Sequence, residues 1–459
     1  MDHSKQLGES KVSELLLKFS IPAIVGMMVN ALYNVVDRIF IGRGVGSLGI
    51  AGITIGFPIM IVMMAFGMLI GIGATSLISI RLGERKKEEA ELIAGNAMVL
   101  LILISLGISV LGLIFIDPLL LRFGASEAVL PYAKDYLTII LFGAVFQGIG
   151  FGMNNFIRAE GNPKIAMVTM MIGAILNTIL DPIFIFLLGM GIKGAAYATI
   201  LSQAVSALWV LHYFFGGKSM LKIHVQNLKL QMSIVLNIFA IGSAPFAMQI
   251  AASVLTIILN KSLQYYGGDV AISAMGIINS IVLLILMPIF GINQGSQPII
   301  GYNYGAQKFD RVKEALKLAI MAATVIVTIG FIGTRLFPEQ LIRLFNDKDP
   351  ELIAFGAKGL KMFLLCLPII GFQIVSSNYF QAVGKPKQSM FLSLSRQVLI
   401  LIPAILILPR YFGLDGILMA GPAADFLSSL LTGTWLYMEL KQLDQKHSEN
   451  INLTPRLEE

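Results

Sequence analysis

The chain has 459 residues, of which 56% are hydrophobic and 13% charged, and its mean hydropathy is +0.80. Soluble domains carry about 25% charged residues, so this composition excludes a soluble globular protein. The net charge of +7 is explained below by the distribution of lysine and arginine among loops, and nucleic-acid binding is not supported.

Apolar runs of about 20 residues or more, separated by charged or Gly/Pro-rich turns, predict twelve membrane-spanning helices. The fold class is therefore an all-α integral membrane protein. No cleavable signal peptide precedes the first run, which is expected to act as the insertion signal. In chain order the predicted spans are 15–42, 50–80, 92–115, 132–157, 165–188, 194–215, 234–264, 271–300, 315–334, 352–382, 389–408 and 414–438.

Lysine and arginine are distributed unequally between the two sides of the predicted bundle. The termini and the loops after even-numbered spans hold 21 of them, against 12 on the other side. By the positive-inside rule, both termini are expected in the cytoplasm.

The two halves of the sequence repeat each other at an offset of 223 residues. Pro22 matches Pro245, and the loop AEGNPK (159–164) matches AVGKPK (382–387). Six spans in each half predict two six-helix bundles related by a parallel repeat. The expected division is a first lobe at 1–217, a cytoplasmic linker at 218–232, a second lobe at 233–440 and a cytoplasmic tail at 441–459.

Two aspartates lie inside predicted spans of the first half. Asp37 is in span 1, and Asp181 interrupts the apolar run LNTILDPIFIF of span 5. An aspartate at the centre of a span costs about 2.5 to 3.5 kcal/mol, so each is a candidate functional group. Their counterparts at the 223-residue offset are Asn260 and Ala404. Because the second half lacks both carboxylates, they indicate a specialised function of the first.

Polar neighbours accompany both aspartates at helical spacing. Asn177 lies one turn before Asp181 on the same helical face. Carboxylate, amide and hydroxyl oxygens together suit an alkali cation or a proton. A polar stripe on span 1 is made by Asn30, Tyr33, Asn34 and Asp37.

Each aspartate also has a structural interpretation. Asp181 precedes Pro182, which is typical of an N-cap at a helix break. Asp37 precedes Arg38, and the two are placed to form an ion pair towards the membrane interface. Neither interpretation explains why both aspartates occur in one half only.

Span 1 also offers a hinge, because Pro22 removes a backbone hydrogen bond fifteen residues before Asp37. Methionines adapt to varied apolar ligands, although they are also ordinary filler in membrane helices. The candidates for the walls of a substrate cavity are Asn34, Met27, Met64, Gln249, Asn279 and Gln294.

Enzymatic motifs are not supported by the sequence. The stretch HYFFGGKS (212–219) has His212 where a phosphate-binding loop requires glycine, and it follows a span and not a strand. The four histidines show no metal-ligand spacing. We expect no enzyme activity, no cofactor and no metal beyond a Na⁺ at the aspartate site.

The segments SIPAIVGMMVNALYNVVDRIFIGRGVGSLGIAGI, RAEGNPK and NTILDPIFIF resemble the multidrug and toxic compound extrusion (MATE) family, most closely its bacterial multidrug-efflux branch. The resemblance covers about 11–440. It implies a cation site in the first lobe at Asp37, Asn177, Asp181 and Thr199, with Tyr33 also matching the family pattern. The carboxylates that another branch of the family carries on helices 7 and 10 are absent from 244–260 and 364–380.

The resemblance implies a secondary active antiporter in the bacterial cytoplasmic membrane, which exports lipophilic, cationic drugs against Na⁺ or H⁺ by alternating access. One chain holds both lobes, so a monomer suffices. A flippase for lipid-linked precursors is an alternative, although its cavity would be cationic. A channel or membrane sensor is an alternative of another class, and it would show no stoichiometric exchange.

Overall fold

The computed structural model describes residues 5–123, 125–345 and 350–453; the side chains of 5, 34, 35, 38, 42, 47, 269 and 446–453 lie outside the description. Every regular element in these ranges is helical. Ten helices are long and apolar enough to cross a membrane, and two bent helix pairs bring the number to twelve. The predicted all-α membrane fold is therefore confirmed.

The first six spans are Val12–Gly44, Ser47–Gly83, Lys87–Ile114, the pair Leu130–Phe142 and Ala144–Ala159, Pro163–Leu187, and Gly191–Phe215. The second six are Met232–Gly268, Val270–Gly305, Phe309–Leu336, the pair Pro350–Phe363 and Leu367–Ala382, Pro386–Ile407, and Pro409–Gln445. Short helices at Lys5–Glu9, Ile116–Arg122, Val225–Leu228 and Pro338–Arg343 lie outside the spans. The exact residues at which the lobes, the linker and the tail begin and end stay a prediction.

Spans 4 and 10 are bent by 55° and 52°, where the apolar pattern predicts continuous helices. Span 10 bends just before Pro368, which cannot donate a backbone hydrogen bond and whose ring displaces the preceding turn. Span 4 bends at Gly143, where an added Cβ would meet the Ile200 side chain of span 6 at 2.4 Å. The bend at Gly143 therefore accompanies a close approach of spans 4 and 6.

The two halves of the chain meet at the end of the bundle where span 1 begins and spans 2 and 8 finish, called here the N-terminal end. An added Cβ at Gly83 would lie 1.9 Å from the carbonyl oxygen of Tyr302, and one at Gly242 would lie 1.8 Å from that of Leu69. Glycine thus allows the two backbones to touch. The seam also contains a hydrogen bond of 2.8 Å from Gln297 Nε2 to Ser76 Oγ.

The linker lies against the first lobe through buried polar side chains. Glu160 accepts hydrogen bonds from Ser219 Oγ and from the backbone N–H groups of Met220 and Leu221, at 2.7, 2.9 and 3.2 Å. Asn96 donates to the carbonyl oxygens of Asn227 and Lys229 and accepts from the backbone N–H of Gln231. The connection between the lobes is therefore fixed to one of them.

The first described residues bind the second lobe. The carbonyl oxygen of Leu7 accepts hydrogen bonds from Asn303 Nδ2 and Arg311 Nη2, at 2.9 and 3.1 Å. Lys308 Nζ donates to the carbonyl oxygen of Gly8 at 2.8 Å. The segment before span 1 is thus bound to the second lobe, whereas the linker that leads into the second lobe is bound to the first.

Candidate functional site

Span 5 holds two of the predicted site residues within one continuous helical segment. Asn177 and Asp181 are 2% and 0% exposed. The α-helix Pro163–Pro182 passes directly into a π-helical turn, Ile183–Leu187. Pro182 has no N–H to donate to the preceding turn, and a widened turn accommodates that loss. Asp181 therefore does not cap a helix break, and the capping interpretation is wrong.

Asn177 connects the aspartate of span 5 to span 6. Its Nδ2 lies 3.4 Å from Asp181 Oδ1 and 3.4 Å from Thr199 Oγ1. The Thr199 hydroxyl donates to the carbonyl oxygen of Ala195, which fixes its orientation. At the start of span 6, an added Cβ on Gly194 would lie 2.8 Å from backbone atoms of Phe184 in the π-helical turn. Glycine at this position lets spans 5 and 6 approach closely.

Span 1 brings the second carboxylate. The carboxyl groups of Asp37 and Asp181 lie close enough to interact electrostatically. Tyr33 lies one turn before Asp37 and belongs to the same group of side chains. The structure thus brings the predicted residues Tyr33, Asp37, Asn177, Asp181 and Thr199 together, between spans 1, 5 and 6. The Arg38 side chain lies outside the described residues, so the alternative ion pair with Asp37 stays a prediction.

Sequence reasoning missed a fourth side of this site. Tyr136 of span 4 is 2% exposed, and its hydroxyl lies close enough to Thr199, Asp37 and Asp181 to interact with each of them. Tyrosine in an apolar run usually packs as an amphipathic ring, and nothing in the local pattern distinguishes this one. The sequence offers only one weak indication that Tyr136 belongs to the site: it follows Asp135 near the outer end of span 4.

Two adjoining carboxylates in an apolar bundle repel each other unless a proton or a cation lies between them. Among the described side chains, Asn177 Oδ1 and Asp181 Oδ2 are buried without a hydrogen-bond partner. These two oxygen atoms, with the Thr199 hydroxyl and the Asp37 carboxyl, form an all-oxygen donor set of the kind that hard cations prefer. The arrangement is chemically suited to holding Na⁺ or a proton.

The predicted cavity residues differ in their exposure. Met27, Gln249 and Gln294 are half-buried, Met64 and Asn279 are exposed, and the Asn34 side chain lies outside the described residues. A cavity of about 250 Å³ lies elsewhere, between spans 2, 3 and 7, and includes none of them. Pro22 is buried within the uninterrupted helix of span 1. The cavity and hinge assignments stay predictions.

A buried ion pair in the second lobe is the other feature that the sequence reasoning missed. Arg396 Nε donates to Asp425 Oδ1 at 2.5 Å, and the Asp425 side chain is 2% exposed. Arg396 is a cation deep within the predicted span 11, 389–408. The sequence feature that could have identified its partner is Asp425, an aspartate well inside the apolar run of span 12.

Comparison with known proteins agrees with the repeat and the fold. A family model described as MatE matches residues 22–183 and again residues 245–406. The two matches are offset by 223 residues, which confirms the internal repeat. The matched regions together make up more than half of the chain.

Individual relatives match the chain over nearly its full length. Multidrug export protein MepA of Staphylococcus haemolyticus (strain JCSC1435) is 29% identical over 423 residues, covering 92% of this chain and 93% of that one. The solved structure of the MATE multidrug transporter DinF-BH is 44% identical with a TM-score of 0.88, covering 94% and 96%. An outward-facing multidrug resistance MATE family transporter of the MOP superfamily gives a TM-score of 0.90 at 26% identity, covering 96% and 98%.

Proposed function

The chain belongs to the MatE family, and on that premise we propose that it is a secondary active antiporter that exports lipophilic, cationic drugs in exchange for Na⁺ or H⁺. Its relatives include proteins named as multidrug export proteins and multidrug transporters. The observation that carries the proposal of ion coupling is the proximity of the Asp37 and Asp181 carboxyl groups inside the first lobe.

The proposed coupling follows from the charge of this pair. A proton or Na⁺ that enters neutralises the repulsion between the two carboxylates, and its departure restores that repulsion. Occupied and empty states therefore favour different packings of spans 1, 5 and 6. A difference of this kind is what rocking of one lobe against the other requires.

The distribution of contacts supports an open cleft at the end away from the N-terminal end. The glycine contacts between the lobes lie at the N-terminal end. Asn30, Asn279 and Ser280, near the middle or outer part of spans 1 and 8, are exposed. Exposed amides at membrane depth favour an aqueous cleft over lipid, because lipid offers them no hydrogen bonds. If both termini are cytoplasmic, as the lysine and arginine distribution predicts, this cleft opens to the outside.

The alternative functions receive less support. A flippase for anionic lipid precursors needs an unpaired cationic wall, whereas the buried guanidinium of Arg396 is paired with Asp425. A channel does not account for relatives named as export proteins. We also propose that the protein works as a monomer in the bacterial cytoplasmic membrane, since both lobes are in one chain.

The experiment is uptake of ethidium into inverted vesicles under an imposed Na⁺ gradient or an imposed pH gradient. The variants are Asp37→Asn and Asp181→Asn, each of which removes one of the facing charges. The matched control is Asp135→Asn, which removes a half-exposed carboxylate that pairs with Lys193 in the same lobe.

We expect gradient-driven uptake to be lost in both site variants and kept in the control, and the effective gradient identifies the ion. Full uptake in Asp37→Asn and Asp181→Asn would show that the pair does not couple transport. Absence of ethidium uptake in the wild type under either gradient would reject the drug antiporter itself.

A further inference from the structure

The Arg396–Asp425 pair is a buried ion pair that joins spans 11 and 12 of the second lobe. The carboxylate of Asp425 on span 12 is 2% exposed, and the Arg396 side chain on span 11 is 25% exposed. Arg396 lies in a π-helical segment, Ser395–Leu401, which interrupts span 11. Cys366, at the bend of span 10, is close enough to interact electrostatically with Asp425. Spans 10, 11 and 12 thus converge at this carboxylate.

Below Asp425, polar residues continue along one face of span 12 towards the N-terminal end. Ser428, Thr432 and Glu439 recur at helical spacing from Asp425, and all of them are at most 5% exposed. Ser429 adds a half-buried hydroxyl beside this face. A buried stripe of this length is unusual for a helix packed inside a membrane bundle, because each hydroxyl must find a partner.

Span 10 packs beside span 12 and carries a matching set of buried polar side chains. Phe372 would contact a Cβ added to Gly433, and Tyr379 donates a hydrogen bond to Glu439 Oε1 at 3.3 Å, so the two spans stay in contact over this length. The buried polar residues of span 10 between these points and just beyond are Gln373, Ser376, Ser377 and Gln381.

Several buried atoms of these two stripes and of the adjoining span 11 lack a protein partner. Among the described side chains, the buried atoms without one include Ser376 Oγ, Ser429 Oγ, Thr432 Oγ1, Gln381 Nε2 and Gln397 Oε1. Buried polar groups in folded proteins are normally satisfied, by ordered water where protein groups are absent. The second lobe therefore offers sites for a row of water molecules from Asp425 towards Glu439.

The first lobe supplies an internal comparison. At the 223-residue offset, Asp425 and Arg396 correspond to Ser202 and Gly173, and Glu439 corresponds to Gly216. The hydroxyl-bearing Ser376, Ser428 and Thr432 correspond to Met153, Val205 and Trp209. The carboxylates of Asp425 and Glu439 and the hydroxyl groups of Ser376, Ser428 and Thr432 are thus not repeated in the first lobe, although Ser377 and Gln381 correspond to the buried polar Asn154 and Arg158.

We propose that Asp425 is a second proton-binding site, reached from the N-terminal end by water held between spans 10 and 12. A proton enters from bulk water near Glu439, passes along the water and hydroxyl groups, and binds the Asp425 carboxylate. The resulting neutral acid weakens the hold on Arg396, which keeps its own charge. The proposal concerns proton binding by the protein alone and does not depend on drug transport.

The charged and titratable groups around this route are few. Arg396 and the Cys366 thiol face Asp425 from spans 11 and 10. At the other end, Glu439 is paired with Lys385 at 2.5 Å and faces Tyr379 and Tyr304. The route therefore begins at one ion pair and ends at another, with neutral groups between.

The first test is infrared difference spectroscopy of the purified protein between about pH 5 and about pH 9. Asp37→Asn, Asp181→Asn and Glu160→Gln are combined in the background, so that neither the first-lobe pair nor the buried Glu160 carboxyl contributes to the signal. We expect a protonated-carboxyl band that is lost in Asp425→Asn. The matched control is Asp415→Asn, which removes a partly exposed aspartate of the same span that pairs with Lys358.

Retention of the band in Asp425→Asn, or absence of any such band, would show a permanently ionised structural pair and overturn the proposal. Asp425→Asn leaves a buried cation unpaired, which can prevent folding. The double variant Arg396→Gln with Asp425→Asn removes both charges and is expected to lose the same band.

The second test asks whether water reaches the stripe. In a Cys366→Ser background, Ser376→Cys and its first-lobe counterpart Met153→Cys each place one thiol at a fully buried position. We expect the S–H stretch to convert to S–D in heavy water for Ser376→Cys and to persist for Met153→Cys. Equal persistence in both would overturn the water route.

Discussion

Tyr136 contributes a hydroxyl group to the first-lobe site, and its loss gives a prediction at the scale of one residue. Tyr136→Phe keeps the buried ring and removes the hydroxyl group that interacts with Thr199 beside the two carboxylates. A net hydrogen bond is worth about 1 kcal/mol, so ion affinity is expected to fall by about fivefold to tenfold while the protein stays folded. The measurement is an ion titration of the purified protein.

Tyr132→Phe is the matched control for Tyr136→Phe. Tyr132 lies one turn earlier on span 4 and is half-buried, so the same hydroxyl is removed from the same helix away from the carboxylates. Equal ion affinities in Tyr136→Phe and the wild type would mean that the Tyr136 hydroxyl does not support the bound ion.

Glu160 gives a prediction about pH dependence. Burial raises the pKa of its carboxyl, although hydrogen bonds from Tyr213, Ser219 and the linker amides act in the opposite direction. Because the folded-state pKa is raised, this group's contribution to stability is fully present below its unfolded value of 4.5 and is lost as pH rises through the folded-state value. Glu160→Gln is therefore expected to gain melting temperature relative to the wild type at about pH 8 and not at about pH 4.

Glu84 provides a control of opposite sign. Burial tends to raise the pKa of its carboxyl, but hydrogen bonds from Arg81 and Lys86 lower it overall. Its contribution is therefore present above the unfolded value and lost as pH falls, so Glu84→Gln is expected to lose stability at high pH. A Glu160→Gln variant that behaves like Glu84→Gln would contradict the assignment of a raised pKa to Glu160.

At the scale of elements, the packing of span 6 against span 5 sets the geometry of the cation site. Gly194→Ala would place a Cβ 2.8 Å from the backbone of Phe184. Since a backbone cannot move aside cheaply, span 6 is expected to shift and carry Thr199 away from Asn177, at a cost of about 1–3 kcal/mol. The measurement is ion affinity together with melting temperature.

The control for Gly194→Ala is Gly150→Ala, on span 4. There the nearest atom to an added Cβ is 3.7 Å away, on Ala207 of span 6, which is ordinary contact. An unchanged ion affinity in Gly194→Ala would mean that the contact between Asn177 and Thr199 does not depend on this helix approach.

The sequence predicts the site residues of spans 1 and 5 because helical spacing fixes which side chains share a face. Asp181 and Asn177 are one turn apart whatever the rest of the fold does. Comparison of the two halves then distinguishes Asp37 and Asp181, which the second half lacks, from residues that both six-helix bundles share. Thr199 follows from the family resemblance and not from spacing.

Tyr136 and the Arg396–Asp425 pair escape this reasoning for a shared physical reason. Which face of one span meets which face of another is a tertiary property, and local periodicity does not encode it. The bends of spans 4 and 10 escape it because the apolar pattern continues across Gly143 and across Leu364 to Cys366. Only the glycine and the nearby Pro368 indicate them.

At the scale of the whole molecule, the glycine contacts of the N-terminal end determine whether that end closes. Gly242→Val would place side-chain atoms on the backbone of Leu69, where even a Cβ lies 1.8 Å from the carbonyl oxygen. We expect the seam to open. The measurement is the yield of a disulfide between cysteines introduced by Ser76→Cys and Gln297→Cys in a Cys366→Ser background. This yield is expected to fall to about one tenth of its value without Gly242→Val, or less.

Gly276→Val is the control, because an added Cβ there meets nothing within 4 Å. It changes the same residue type within a span of the same lobe. Undiminished crosslinking in Gly242→Val would show that the seam tolerates a side chain and that glycine at this position is not required for closure.

The hydrogen bonds that hold the first residues have a consequence for biosynthesis. Leu7 is bound by Asn303 and Arg311, which lie about two thirds of the way along the chain. A ribosome must therefore have made eight spans and the start of the ninth before Leu7 reaches its final partners. Until then the backbone of this segment lacks those hydrogen bonds and stays available to the insertion machinery or to proteases.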